Sequence, residues 1–361
     1  MHQKIVYILP FYEEGTDTHL FYNYELIKAA ADWLDIFVII EKCPKLSVGQ
    51  VANALKARCY IQRFKNPILR FLELLFLCFK LRVSGYKNFY THYSYFGALA
   101  SWLASRFWGR AFYWNRGMPW LFKRKFFEEC VFQFILRHSI LVTSPESLAK
   151  EYQKLYGVKK YKILSNWIDT ERFYPDFSKE ASKEKLGLDK NKKIILFVHH
   201  LSERKGADFI NKTAELLGAN FELIVIGDGS YRPRLEEEIK KSGSNVKILG
   251  ALPNKEVVKY FQAADVFFMP SREEGQPHVI LEAIASGTPF VASDVGGIKE
   301  MIPPSFFEFL CRAGDIDCFS NKIKKLLSNN EFYEGIRKEG LSFASTFGKN
   351  TAVEEFTNLF K

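Results

Sequence analysis

The sequence predicts an α/β protein made of two doubly wound, Rossmann-like domains in tandem, with a cleft between them. Short apolar runs bounded by turn residues alternate with helical patterns along the whole chain, the arrangement that builds a parallel sheet covered by helices. At 361 residues the chain exceeds the size at which one core keeps growing. The polar stretch 176–192 follows Pro175, holds few large apolar residues and separates two rounds of alternation.

In the first round, strands are expected at 5–9, 36–40, 88–91, 111–114, 139–143 and 162–164, with a helix over 18–31. In the second, strands are expected at 194–198, 223–226, 246–249, 266–269 and 290–292, with helices over 207–217 and from Arg234. The domains are placed at 1–175 and 193–345, joined by a linker at 176–192, with a last helix in 346–361 packing back on the first domain.

Composition narrows the class. Hydrophobic residues make up 47% of the chain and include 34 Phe, ample for two cores. No apolar run is long enough to span a bilayer, and Met1, His2, Gln3 and Lys4 lead straight into a strand rather than a secretion signal, so a cytoplasmic protein is expected. The six cysteines (Cys43, Cys59, Cys78, Cys130, Cys311 and Cys318) form no Cys-x-x-Cys pair and are read as reduced core thiols. No metal site is expected from them. Charge is uneven: residues 1–172 carry 25 Lys and Arg against 14 Asp and Glu, whereas the remainder carries 26 against 27. An anionic partner should therefore approach the first half.

The chemistry concentrates in the run from Pro270 to Pro289. An apolar strand ends at Pro270, Gly275 opens a turn, Pro277 suits the first position of a helix, and Gly287 with Pro289 stops that helix. Glu274 then lies on a loop at the carboxyl end of a strand, and Glu282 about one turn into the helix. The unbonded N–H groups of Gln276, His278 and Val279 suit an anion. Two carboxylates beside them accept hydrogen bonds from sugar hydroxyls. An anion flanked by two polyols describes a nucleotide sugar. The plain alternative is a solvated Glu282 and a capping Glu274.

Three further turns stand at strand ends. His199 and His200 lead to Arg204, Lys205 and Gly206, where the cations suit a diphosphate. Gly227, Asp228 and Gly229 follow the next strand, and Gly296 with Gly297 follow the last. Each is also compatible with a plain turn.

In order, spacing and residue type these motifs resemble glycosyltransferase family 4, the retaining glycosyltransferases of GT-B fold. The resembling residues are Arg204-Lys205-Gly206, Gly227-Asp228-Gly229, Ala264-Asp265-Val266, Pro270-Ser271, Glu274-Gly275, Leu281-Glu282-Ala283, Gly287-Thr288-Pro289 and Gly296-Gly297. The stretch from Asn166 to Pro175 is similar to the segment that closes the family's first domain. The resemblance is specific over about 139–319 and one of layout before that.

It implies that Lys205, with Arg204, holds the donor diphosphate, that Glu282 binds the ribose and that Glu274 meets the transferred sugar near its anomeric carbon. Main-chain groups of Gly275, Gln276, His278 and Val279 would complete the donor site, together with His200, Gly227 and Gly15, and the loop 250–253 ending at Pro253 would border the base. It also implies transfer without a metal or other cofactor, with the leaving phosphate as base toward the acceptor hydroxyl. Asp315, Ile316 and Asp317 imitate a metal-binding Asp-x-Asp but are read as a helix cap.

The chain departs from the family in having His199 and His200 where Gly-Arg is common, and in reducing the first glycine-rich loop to Gly15, Thr16, Asp17 and Thr18. A histidine common after a later strand of the first domain is replaced by Asn115 or Arg116. His92 is a second acceptor-side candidate, with a structural role as the alternative.

Between residues 51 and 137, 15 basic side chains face only Glu73, Glu128 and Glu129. They interleave with apolar residues over 67–81 and 120–132, which favours peripheral contact with an anionic membrane surface and a glycan or lipid-linked acceptor. Two other readings are a nucleotide-sugar epimerase of similar fold and a polyanion-binding protein using the basic half. No recognised nucleic-acid motif accompanies the charge, so nucleic acid is not expected as a partner.

Overall fold

The structure, a computed structural model, describes residues 2–14, 20–176 and 178–361. The Gly15–Thr18 turn anticipated above, including Gly15 itself, lies outside the described residues. The chain forms two compact units, Met1–Ser165 with Lys349–Lys361, and Asn166–Gly348.

In the first unit seven strands form one sheet: β1 (Gln3–Leu9), β2 (Leu34–Ile40), β3 (Arg58–Ile61), β4 (Asn88–His92), β5 (Arg110–Trp114), β6 (Ile140–Thr143) and β7 (Tyr161–Ile163). Their order is β3-β2-β1-β4-β5-β6-β7, and each pairing is parallel, with Ile5 set between Ile36 and Asn88. Strands buried on both faces read as unbroken apolar runs, and Ile5 to Leu9 are all without exposed surface. The helix Lys349–Asn358 belongs to this unit. Phe356 packs on Tyr90 at 5.2 Å and on Tyr7 at 6.0 Å, and Phe360 on Phe112 at 5.1 Å.

The second sheet contains β8 (Lys193–Val198), β9 (Phe221–Ile226), β10 (Val246–Gly250), β11 (Val266–Met269), β12 (Phe290–Ser293) and β13 (Leu310–Cys311) in the order β10-β9-β8-β11-β12-β13, again parallel. Asp315 caps the helix Ile316–Leu327 by accepting from Cys318 N–H at 3.0 Å, the role expected for it.

Three expectations are corrected. The boundary falls between Ser165 and Asn166 instead of after Pro175, because Trp167, Ile168 and Phe173 are buried in the second unit and Ile168 N–H bonds to Phe347 O at 2.8 Å. The stretch 176–192 is no open linker: it contains the helix Lys179–Lys185, capped by Ser178, and buries Lys183. Lys183 Nζ donates to Asp265 Oδ2 at 2.8 Å and to Lys192 O at 3.0 Å, while Ile194 N–H donates to the same Asp265 oxygen at 2.7 Å. Finally, Cys311 and Cys318 are joined in a disulfide, because the turn after β13 returns to the first turn of a helix with the two Cα atoms 5.9 Å apart. Cys43, Cys59, Cys78 and Cys130 are free thiols.

Replacing Lys183 by Met leaves the buried Asp265 carboxylate without its close ammonium partner, with Lys193 at 4.0 Å and the Lys179 charge beyond it to oppose its charge. Such a broken pair costs about 3–5 kcal/mol, and urea unfolding of Lys183→Met should show a loss of that order.

Candidate active site

The second sheet reverses its order between β8 and β11, so the loops leaving those two neighbouring strands part around the crevice where α/β sheets hold ligands. The β8 loop delivers His199, His200, Arg204 and Lys205, and the β11 loop delivers Arg272 and Glu274. Lys205 Nζ lies 2.7 Å from Glu274 Oε1, with both side chains less than one-tenth exposed. His199 Nε2 stands 3.4 Å from that same oxygen. Glu274 Oε2 has no partner among the described residues.

Two glycines permit this approach. Gly227 has φ +142°, and a Cβ there would stand 1.9 Å from His199 O. Gly296 has φ +58°, and a Cβ there would stand 1.8 Å from Glu274 O. Any larger residue would push out the backbone that carries the site. Gly297 N–H also donates to Gly275 O at 3.0 Å. Across the reversal, Arg272 N–H donates to Arg204 O at 2.9 Å, and the Arg272 guanidinium grips Asp208 through two bonds of 2.7 and 2.6 Å. Such a bidentate fork fixes the two loops against each other.

Burial works against a charge on Glu274, yet the hydrogen bond from His199 and the Lys205 ammonium outweigh it and draw the carboxyl down to about 2. Lys205 is also lowered, first by burial and then by Arg204, with Glu274 opposing. The two shifts weigh burial against attraction in opposite senses. Two donors face Glu274, so the carboxylate ionises readily, and the pair is charged at neutral pH.

The helix that follows runs His278–Ala285, with Pro277 at its N-cap, one position earlier than expected. The backbone N–H groups of Gly275, Gln276 and Val279 have no acceptor among the described residues. The Gln276 side chain is engaged, its Oε1 accepting from Asn166 N–H at 3.0 Å. Glu282 lies one turn into this helix and is half-buried. Arg204 is exposed and beside the pair. Pro253 is exposed at the start of the helix Asn254–Ala263.

His200, expected in the donor site, is exposed and lies over Gly229. The neighbouring His199 is the residue brought to the carboxylate, and sequence reading missed it. Its only signal was its position at the end of a strand, one residue before the candidate chosen.

The acceptor-side candidates sit in the first unit. His92 has no exposed surface and stacks on Trp114 at 3.9 Å, with Nε2 3.4 Å from Asn23 Nδ2. Asn115 is buried, its Oδ1 accepting from Tyr152 Oη at 2.9 Å and from Gly117 N–H at 2.9 Å. Both are committed to the core, which corrects the expectation that they meet an acceptor. Arg116 is half-buried, 5.0 Å over the Trp114 ring, and donates to Leu164 O. Burial lowers its pKa to about 10.

Residues 178–342 match the family described as Glycosyl transferases group 1. The lipopolysaccharide core biosynthesis mannosyltransferase LpsB of Rhizobium meliloti (strain 1021) is 29% identical over 203 residues, 54% of this chain and 57% of that protein. The UDP-Gal:alpha-D-GlcNAc-diphosphoundecaprenol alpha-1,3-galactosyltransferase of Escherichia coli is 29% identical over 179 residues, 46% of this chain and 45% of that one. The chain spans about half the length of the curated relatives it matches. Among solved structures, Anabaena Alr3699/HepE in complex with UDP covers 99% of both chains with a TM-score of 0.82 and 17% identity. That likeness is one of fold, and the fold is GT-B.

Because Glu274 titrates in the folded chain near 2 and ordinarily near 4.5, its ionisation stabilises the fold above 4.5, and that contribution is lost as pH falls toward 2. Lys205→Met should therefore cost about 3–5 kcal/mol at neutral pH. The deficit should shrink below pH 4.5 in thermal melts of the two proteins, since protonation relieves the stranded carboxylate.

Proposed function

We propose, from the match of residues 178–342 to the glycosyl transferases group 1 family, that this chain is a retaining glycosyltransferase. It moves a hexose-type sugar from a UDP- or GDP-sugar to a glycan or lipid-linked acceptor, without a bound metal. The observation that carries this reading is the Glu274 carboxylate, anchored through Oε1 by Lys205 and His199, with Oε2 left unpartnered beside unbonded helix amides.

Charge builds on the departing diphosphate and on an oxocarbenium-like sugar during transfer. Arg204, Lys205 and the amides of Gly275, Gln276 and Val279 offset the first, acting from fixed positions that need no reorganisation. Glu274 Oε2 orients the sugar and steadies the second. Glu282 takes the ribose, and the loop ending at Pro253 borders the base. The leaving phosphate accepts the acceptor's hydroxyl proton. UDP in the HepE complex and the UDP-sugar and diphosphoundecaprenol in the Escherichia coli relative's name support a nucleotide donor and a lipid-linked acceptor.

The first unit supplies a membrane-facing surface in this reading. Among the described residues, fourteen of the twenty exposed large apolar side chains fall between Phe64 and Phe127. Ile68, Leu72, Phe76 and Phe79 lie on the helix Pro67–Val83, and Phe107 and Trp108 follow the helix Tyr95–Ser105. The 15 cations of 51–137 interleave with them along the sequence. No helix among the described residues is long and apolar enough to cross a membrane, so contact is with the bilayer surface.

Glu274→Gln should lower kcat by about a hundredfold or more in an assay of nucleotide diphosphate release across UDP- and GDP-sugars, while UDP or GDP still raises its melting temperature. Full turnover in the variant contradicts the role given to Glu274. The chain should sediment with phosphatidylglycerol-containing vesicles and not with phosphatidylcholine alone, at about 1 kcal/mol per engaged cation. Raised salt, or the double change Phe107→Ser and Trp108→Ser, should weaken that binding.

A further inference from the structure

We propose that His199 is a positioning residue of this site, donating from Nε2–H to Glu274 Oε1 so that Oε2 is turned toward the transferred sugar. The proposal rests on the glycosyltransferase reading above.

The tautomer follows from the other side of the ring. His199 Nδ1 accepts from the backbone N–H of His200 at 2.8 Å, so it carries no proton in the neutral imidazole. The proton then resides on Nε2, the nitrogen that stands 3.4 Å from Glu274 Oε1. Lys205 donates to that same oxygen at 2.7 Å. An ammonium on a flexible stem is a point charge that tolerates rotation of the carboxylate about its last bond. A planar ring, itself held by a backbone N–H, adds a second fixed direction at Oε1 and so sets the carboxylate plane. The backbone of His199 is fixed too, because Gly227 packs against its carbonyl too closely for any side chain.

The arrangement works only with a neutral ring. The charged groups facing His199 are Glu274, which favours its protonation, and Lys205 and Arg204, which oppose it. Burial comes first among these influences and holds the pKa below the ordinary 6.5. As pH falls through that lowered value, Nδ1 gains a proton and confronts the His200 N–H as a second donor. The His200 contact is lost and the ring is freed to turn, so the acid limb of the rate profile belongs to His199.

Phe fills the ring's volume without a donor, whereas the Gln side-chain amide places an N–H near the position of Nε2. His199→Phe should lower kcat about ten- to a hundredfold, the worth of one hydrogen bond to a charged group, with the melting-temperature rise produced by UDP or GDP retained. His199→Gln should recover most of kcat, and neither variant should keep the acid limb. Nitrogen-15 spectra of the wild-type imidazole should show the proton on Nε2, a readout independent of turnover. A proton on Nδ1, a wild-type rate in His199→Phe, or an equal loss in both variants overturns the assignment while leaving the glycosyltransferase reading intact. No transfer by the unaltered chain from any UDP- or GDP-sugar overturns that reading and this assignment with it.

Discussion

Everything in the second unit's site turns on one buried contact, the 2.7 Å ion pair between Lys205 and Glu274. Residues 69 apart in sequence meet because β8 and β11 are neighbours at the point where the strand order reverses. Closing that distance requires loops with almost no bulk between them, which Gly227 and Gly296 supply, and a latch across the reversal, which Arg272 and Asp208 supply. A buried ion pair is poor value as a source of stability, since apolar residues of equal volume serve about as well. What the pair secures is a buried, charged carboxylate whose Oε1 is engaged and whose Oε2 has no partner among the described residues.

Much of the fold was legible because parallel strands covered on both faces are continuous apolar runs, and turn residues mark where each ends. The strands that escaped notice lack that signature. β3 lies at a sheet edge and begins with the exposed Arg58, and β13 has only two residues. The polar stretch 176–192 looked like a linker because charged residues are counted as solvated. Lys183 defeats that rule by pairing with Asp265 inside the unit. The disulfide was hidden for a related reason: its cysteines are seven positions apart, and only the strand-to-helix return brings them together.

The site was legible in its parts and not in its contacts. Glu274, Lys205 and the glycines stood out by type and spacing, but nothing in the sequence says that Lys205 and Glu274 touch, or that His199 and not His200 faces them. Alternate residues leaving a strand point to opposite sides, so a one-residue error in where the strand ends exchanges the two histidines. On the first unit, His92 and Asn115 carried polar chemistry at strand ends, yet Trp114, Tyr113 and Tyr152 absorb them into the core. The exposed aromatic side chains nearby are the complementary anomaly, since apolar area left in water is normally covered by a partner.

The return of the chain from the second unit to the first has a practical corollary for dissecting this protein. The sheet of the first unit is completed by Phe356 and Phe360, which pack on Tyr7, Tyr90 and Phe112 from the far end of the polypeptide. A contiguous fragment ending at Ser165 would bare those rings. Isolating that half as a folded piece calls for a circular permutation that joins the segment Lys349–Lys361 to the amino-terminal half.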